Sequence, residues 1–249
     1  MSTLNEILKR CEVNPKIQAL KGKYSGRIWL IGNGVSLRDT PLELLTDEYS
    51  FAMNGIAMIY PRTTWRPTFY FCVSSNARHE DRRPLFLAPV EDSAISFLSS
   101  GFKRWGWLED RDNVYWVNVP QVFTNDEKEE NLGLWSLDAA KWLARGGTSM
   151  YCVMQTAAYL GFTEFYLVGC DLGWKAAKNA DGDPNHFDPN YFYATNPPDQ
   201  EDVDRINREM GQAHRRAKQV LDGLGIKVFN ATRGGELETY PRVRMEEIL

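Results

Sequence analysis

The sequence predicts an α/β fold: a Rossmann-like, mostly parallel sheet with helices on both faces and a lid-like insertion. Three observations predict it. Short apolar, β-prone runs alternate with helical patterns along the chain, as expected when each strand crosses over a helix to a parallel neighbour. The first strong run, Arg27–Ile31, stops abruptly in Gly32-Asn33-Gly34, followed by Ser36 as a helix-capping residue. Glycines there let the backbone turn tightly and come close to a ligand, and the following helix offers its N–H groups to an anion. Gly161 and Gly225 each stand just past a helical pattern, where a C-terminal cap belongs.

Taken in order, residues 3–12 read as a short helix that Asn14-Pro15 ends. Strands are expected at Arg27–Ile31, Ser50–Met53, Thr68–Val73, Val114–Val119, Glu164–Val168 and Lys227–Phe229. Each is a short run rich in β-branched or aromatic residues. Helices are expected at Leu42–Thr46, Ala94–Ser100, Leu137–Leu143, Ser149–Leu160 and Glu201–Leu224. Two stretches break this grammar. Pro61 to Pro67 is a loop rich in Pro, Trp and Arg, and Lys175 to Gln200 is long, polar and rich in Pro and Asn. Loops beyond about 12–15 residues in a compact domain are usually lids or binding loops, or else disordered. The aromatics Phe187, Tyr191, Phe192 and Tyr193 argue against permanent disorder. Residues 1–249 are thus expected to form a single nucleotide-binding α/β domain, with 175–200 as its lid-like loop.

Composition narrows the function classes. A hydrophobic share of 43% with 25% charged residues suits a globular chain with a sizeable core. The net charge of −4 advertises no nucleic-acid partner. The basic runs Arg78 to Arg83 and Arg215 to Lys218 read as solvated faces. No apolar run approaches the roughly 18 residues of a transmembrane span, and Ser2 to Glu12 is polar and helical rather than a signal peptide. Of the four cysteines, Cys72, Cys152 and Cys170 lie in apolar segments, with no Cys-x-x-Cys. Buried free thiols and a cytoplasmic location are the expectation.

In an open parallel sheet, ligands bind beyond the carboxyl ends of the strands. Here those ends read Gly32-Asn33-Gly34, Asn54-Gly55, Ser74-Ser75-Asn76, Asn118, Gly169-Cys170-Asp171 and Asn230-Ala231-Thr232. Asn offers a donor and an acceptor without charge, and a row of them suits a base and ribose better than a metal. Asn also ends strands because it tolerates turns, so any one of them is ambiguous. The Gly-Asn-Gly loop lacks a third glycine, since Leu37 stands there, and no Gly-Lys-Ser/Thr follows. Arg145-Gly146-Gly147-Thr148-Ser149 precedes a helix. Thr148 or Ser149 caps it, or the helix start and Arg145 together bind a phosphate. Three histidines exist. His79 has no obvious partner, and His214 lies mid-helix among Arg and Lys and is expected at the surface. His186, inside the long loop, reads as a general base, as a structural residue, or with Asp181, Asp183 and Asp188 as a cation site.

The order of these motifs resembles a family. Ile31-Gly32-Asn33-Gly34-Val35-Ser36-Leu37 is similar to the Gly-Asn-Gly-Pro-Ser-Leu opening of bacterial CMP-sialic-acid-dependent sialyltransferases of the lipooligosaccharide type. It also resembles the related 6-hydroxymethylpterin diphosphokinase-like family, which includes flagellin glycosyltransferases. Phe51-Ala52-Met53-Asn54 resembles the second strand of the sialyltransferases. Thr148-Ser149 through Leu160-Gly161 to Gly169-Cys170-Asp171 resembles their Thr-Ser-Gly, helix, Leu-Gly-Tyr, strand, Gly-x-Asp segment. Asn185-His186-Phe187 falls where they carry a loop His-Tyr with the catalytic base.

The resemblance implies an inverting, metal-independent transfer of a sugar, such as a nonulosonic acid, from a CMP-linked nucleotide sugar to a glycan acceptor hydroxyl. His186 would be the base. Asn33, Asn54, Thr148 and Ser149 would hold the cytidylate, with Gly32, Gly34, Ser36, Asn76 and Asp171 around it. The family's phosphate-binding Tyr after Gly-x-Asp is replaced by Gly173-Trp174, which leaves Tyr191, Tyr193 or Arg145 to meet the leaving phosphate. Val35 replaces the usual Pro. The ending from Asn230 to Arg242 looks like the diphosphokinase-like group. No cofactor and no metal are expected, and a homo-oligomer is left open. The competing readings are a Mg²⁺- and ATP-dependent pterin-type diphosphokinase, in which Asp171, Asp181 and Asp183 bridge phosphates, and a non-catalytic nucleotide-binding module.

Overall fold

A computed structural model of the chain describes residues 4–74, 77, 79–120, 134–176, 190–192 and 200–249. Among them, seven strands form one sheet in which every pairing is parallel. They are β1 (Arg27–Ile31), β2 (Ser50–Met53), β3 (Phe69–Cys72), β4 (Ile95–Ser99), β5 (Val114–Val117), β6 (Glu164–Val168) and β7 (Lys227–Asn230). Their order across the sheet is β5-β4-β3-β2-β1-β6-β7. The chain therefore builds outward from β1 in one direction, then returns to the other side of β1 with β6. The β1/β6 junction is the switch point where an open α/β sheet leaves a crevice.

Side-chain alternation sorts each strand between two cores. Ile28, Leu30, Phe51, Phe69, Phe71, Phe97, Phe165 and Leu167 face one core; Trp29, Ile31, Ala52, Tyr70, Cys72, Leu98, Tyr166 and Val168 face the other. Both faces are covered, which is why the strands read as continuous apolar runs. Three of the helices are α1 (Leu4–Arg10), α2 (Pro15–Gln18) and α3 (Arg83–Asp92). The others are α4 (Ser100–Arg104), α5 (Ser149–Leu160), α6 (Gln200–Gly223) and α7 (Met245–Ile248). Ile17 of α2, most of α5, and Ala213, Ala217 and Leu221 of α6 pack on the first face. The second is covered by Phe86 and Val90 of α3, Phe102 of α4, Met245 of α7 and the 3-10 segments Val35–Asp39, Leu42–Leu45 and Asn54–Arg62.

Helix α5 is buried nearly all round, with ten of its twelve side chains inside. Its buried amide, Gln155, is fully used. Oε1 accepts from the Ser136 and Ala144 N–H groups, and Nε2 donates to the Ala144 and Tyr151 carbonyls, all at 2.7–3.0 Å. Gly161 ends the helix in the left-handed region at φ 108°.

Several local expectations are corrected. Ala94–Ser100 holds a strand, β4, not a helix. It is paired on both sides, to β3 and β5, and its side chains alternate between the cores. A run that short cannot bury a helical stripe, but it fits a pleated position between two strands. Leu137–Leu143 is a series of turns. Tertiary bonds take its backbone: the Asn14 N–H donates to the Ala140 carbonyl, the Leu143 N–H to the Asn118 carbonyl, and Asn118 Nδ2 to the Lys141 carbonyl. Asn14 does not merely end α1. Its side chain accepts from the Lys16 and Ile17 N–H groups and so caps α2. The α3 helix goes unread in sequence because it holds two prolines. Pro84 sits in the first turn, where the missing N–H is an orphan anyway, and Pro89 is buried in its interior. The Pro61–Pro67 loop is a plug: Trp65 is fully buried and Arg66 lies 3.9 Å over the Tyr60 ring. The described cysteines are free, Cys72 and Cys152 being buried and Cys11 and Cys170 half-buried. Burial pushes the Cys72 and Cys152 thiols up to about 12.

Candidate functional site

A crevice of about 580 Å³ opens beyond the carboxyl ends of β1, β2 and β6, within the range of small-molecule sites. Its floor is two interlocked loops, one after β1 and one after β6. The Gly32 N–H donates to the Val168 carbonyl and the Gly34 N–H to the Gly169 carbonyl, at 2.7 and 2.8 Å. This contact fixes the residue type. A Cβ at Gly34 would overlap the Asp171 carboxylate and stand 2.8 Å from the Gly169 carbonyl oxygen, and one at Gly32 would overlap that same carbonyl. The glycines of Gly-Asn-Gly thus let two loops approach each other, and the crevice forms above their junction.

Asp171 is the lock. Its Oδ2 accepts from the Ser36 hydroxyl at 2.8 Å, and its Oδ1 accepts from the Ser36 N–H at 3.2 Å. The carboxylate thereby caps the 3-10 segment that begins at Val35. Burial raises its pKa, and the Ser36 hydrogen bonds oppose that rise. The Glu236 N–H closes a third loop onto the Asp171 carbonyl at 2.6 Å.

Asn33 forms a buried polar point of the crevice. It is 9% exposed, and its Nδ2 donates to the Met53 carbonyl at 3.0 Å. Its Oδ1 is buried with no hydrogen-bond partner among the described residues. A buried acceptor left unserved costs roughly 1–3 kcal/mol, so Asn33 keeps an unspent acceptor beside the crevice. Asn54 stands at the end of β2 in the left-handed region, φ 48°. Its carbonyl accepts from the Tyr70 hydroxyl at 2.7 Å, and its Nδ2 donates to the Ser149 hydroxyl at 3.0 Å. Leu172, at φ 54°, is the other non-glycine residue in that region among the described residues. Both outliers line the crevice, where stored backbone strain tends to collect. The start of α5 completes this wall. Thr148 caps it by accepting from the Met150 N–H at 3.4 Å, and Gly147, Thr148 and Ser149 face the opening. A helix start carries partial positive charge and unpaired N–H groups.

The opposite wall is built by paired amides. Asn207 of α6 accepts from the Trp174 N–H at 2.7 Å and donates to its carbonyl at 2.9 Å. Asn190 does the same for Lys175, at 2.7 and 2.8 Å. The Phe192 N–H donates to the Asn33 carbonyl, and the Arg38 guanidinium donates to the Tyr191 and Phe192 carbonyls. Tyr191 is thereby set edge-on to Trp174, with ring centroids 5.1 Å apart.

The residues singled out in sequence distribute as follows. Gly32, Asn33, Gly34, Asn54, Thr148, Ser149, Asp171, Trp174 and Tyr191 line the crevice, and Ser36 bonds Asp171 beneath it. Arg145 is exposed and does not line it. Asn76, Tyr193 and His186, with Asp181, Asp183 and Asp188, lie outside the described residues. Among the lining residues that escaped the sequence reading are Lys175 and His214. Lys175 is the cationic side chain among the described lining residues. His214 is not at the surface: it is 3% exposed, and its Nδ1 lies 3.2 Å from the Tyr240 hydroxyl. Burial lowers its pKa to about 4. The signal was present, because Ile206, Met210 and His214 recur every fourth residue on one face of α6 and all three line the crevice.

No family model matches the chain, and no curated protein matches it. Solved structures do, among them two glycosyltransferases. One is the MAf glycosyltransferase from Magnetospirillum magneticum AMB-1, with 16% identity and a TM-score of 0.55, over 90% of this chain and 34% of that one. This chain thus spans about a third of that protein's length. The other is the sialyltransferase CstII from Campylobacter jejuni, solved in complex with a substrate analogue, cytidine-5'-monophosphate. It has 12% identity and a TM-score of 0.51, over 87% of this chain and 84% of that one. Identities this low speak for the fold alone. The sialyltransferase-like resemblance of the motifs is therefore met by a likeness in three dimensions: this chain has the Rossmann-like α/β fold of those two glycosyltransferases.

Proposed function

We propose that this protein is a glycosyltransferase that moves a sugar from a CMP-activated donor to a glycan acceptor hydroxyl, with inversion and without metal. One observation carries the reading most. At the switch point of a parallel sheet, a buried Asn33 Oδ1 lacks a partner among the described residues, in a crevice that the start of α5 lines beside it. The fold shared with two glycosyltransferases, one of them described with cytidine-5'-monophosphate, supports the choice of ligand.

In this reading the nucleotide lies across Gly32-Asn33-Gly34 and Asn54. Its phosphate meets the α5 N–H groups, with Ser149 and Lys175 as further donors. As the acceptor oxygen bonds to the anomeric carbon, the bond from that carbon to the phosphate oxygen breaks, and the electron pair leaves with CMP. Fixed donors and a helix dipole stabilise that charge. His186 takes the acceptor proton.

Thermal-shift measurements with CMP, CDP, UDP and ATP, each with and without Mg²⁺, test the ligand. The expected result is stabilisation by CMP with no added metal. Stabilisation by ATP only with Mg²⁺ would favour pyrophosphoryl transfer instead. His186→Ala is expected to lower turnover about 10²–10⁴-fold with CMP affinity unchanged. Unaltered turnover would remove His186 from the scheme.

A further inference from the structure

We propose that His214 is a binding residue of the crevice. Its Nε2, held as a bare acceptor by Tyr240, takes a hydroxyl or amino hydrogen from the bound ligand. The inference rests on the crevice being a nucleotide-sugar site and names what its inner end reads.

His214 sits on the face of α6 that lines the crevice, beside Ile206 and Met210. Its Nδ1 is committed to Tyr240. With Nδ1 committed and no partner for Nε2 among the described residues, Nε2 is the ring nitrogen left for the crevice that His214 lines. The Tyr240 hydroxyl fixes which nitrogen carries the proton. It lies 3.1 Å from the His214 carbonyl oxygen, 3.2 Å from Nδ1 and 3.8 Å from the Met154 sulfur. The carbonyl and the thioether only accept, and the hydroxyl has one proton to give. The arrangement that uses both oxygen-to-His214 contacts has Nδ1–H donating to the hydroxyl and the hydroxyl donating to the carbonyl. Nε2 is then a lone pair. Tyr240 is itself fully buried and held in the first core, so it is a rigid positioning residue.

The chemistry this selects is specific. Asn33 Oδ1 and His214 Nε2 are two uncharged acceptors in one crevice, neither served by a described protein donor. They suit a ligand rich in O–H and N–H groups, such as the ribose, base or sugar of a nucleotide sugar. They do not suit its phosphate, which offers acceptors. The crevice would then divide by hydrogen-bond sense, with donors at the α5 start and acceptors at Asn33 and α6.

Histidine ring ¹⁵N spectra of the full-length protein, recorded with and without cytidine-5'-monophosphate, test this. The expected spectrum of the free protein has His214 Nε2 as the pyridine-type nitrogen and Nδ1 as the pyrrole-type one. The nucleotide should move the Nε2 resonance, and Tyr240→Phe should abolish the tautomer preference. His214→Phe, which keeps a ring but no acceptor, should weaken binding about tenfold. A protonated Nε2 in the free protein overturns the assignment. So does a nucleotide that binds while the Nε2 signal stays fixed, and that result leaves the nucleotide reading intact. Failure of every nucleotide to bind the wild-type protein ends both. If His214→Phe does not fold, the wild-type spectra still decide.

Discussion

Gly34 shows how a residue can look like a ligand contact and answer first to packing. Its partner is the Asp171 carboxylate, with no room for a methyl group between them. Gly34→Ala is expected to cost about 1–3 kcal/mol in urea unfolding, as overpacking does, and to abolish nucleotide binding by parting the two loops. A Gly34→Ala protein of wild-type stability would refute the interlock. His214 makes the opposite point: set among Arg and Lys it looks solvated, yet it is buried. Its charged form is disfavoured by burial, so its folded pKa, about 4, lies below the unfolded 6.5. Between those values the unfolded chain binds the extra proton, so stability falls as pH drops through that window. The contribution is about 3 kcal/mol, present above pH 6.5. His214→Gln is expected to flatten that part of the stability–pH curve. An unchanged curve would mean the ring titrates normally. The sequence showed both residues but not their neighbours, because Asp171 and Tyr240 come from distant segments.

At the scale of elements, the legible parts were those whose burial pattern is set by their own residues. Helix α5, with its Thr148 cap and Gly161 stop, has the bounds read from sequence, and so do β1, β2 and β6. The misread parts owe their form to partners. β4 is a strand because β3 and β5 flank it, and Leu137–Leu143 is held in turns by Asn14, Asn118 and Gln155. The amide clamps are of the same kind: nothing in the spacing of Trp174 and Asn207 announces a paired contact across 33 residues. Asn207→Leu keeps the size but leaves the Trp174 N–H and carbonyl without that partner. A loss of about 1–2 kcal/mol in unfolding free energy is expected, with weaker CMP binding by calorimetry. Wild-type values for both would show that the Trp174 wall stands without α6.

At the scale of the molecule, the strand order concentrates the chemistry. Because β6 returns to the free side of β1, the loops after those two strands lie side by side, and the Gly-Asn-Gly and Gly-x-Asp segments interlock there beneath the crevice. The sequence foretold a parallel sheet, whose strand ends line a crevice, and the order of its motifs resembled that of the sialyltransferases. It did not foretell that Asn118 and Asn230 would be spent on structure. Asn118 binds Lys141, while Asn230 donates to the Leu237 carbonyl and accepts from the Thr232 N–H. Only Asn33 retains a buried, unserved oxygen among the described strand-end amides. The most direct test is therefore a crystal structure of the protein with cytidine-5'-monophosphate. The account predicts the nucleotide across the ends of β1 and β6, with Asn33 Oδ1 accepting one of its hydrogens and its phosphate at the start of α5. A nucleotide bound elsewhere, such as the cavity beside Arg233, Arg242 and Arg244, or one that leaves Asn33 Oδ1 unserved, would contradict it.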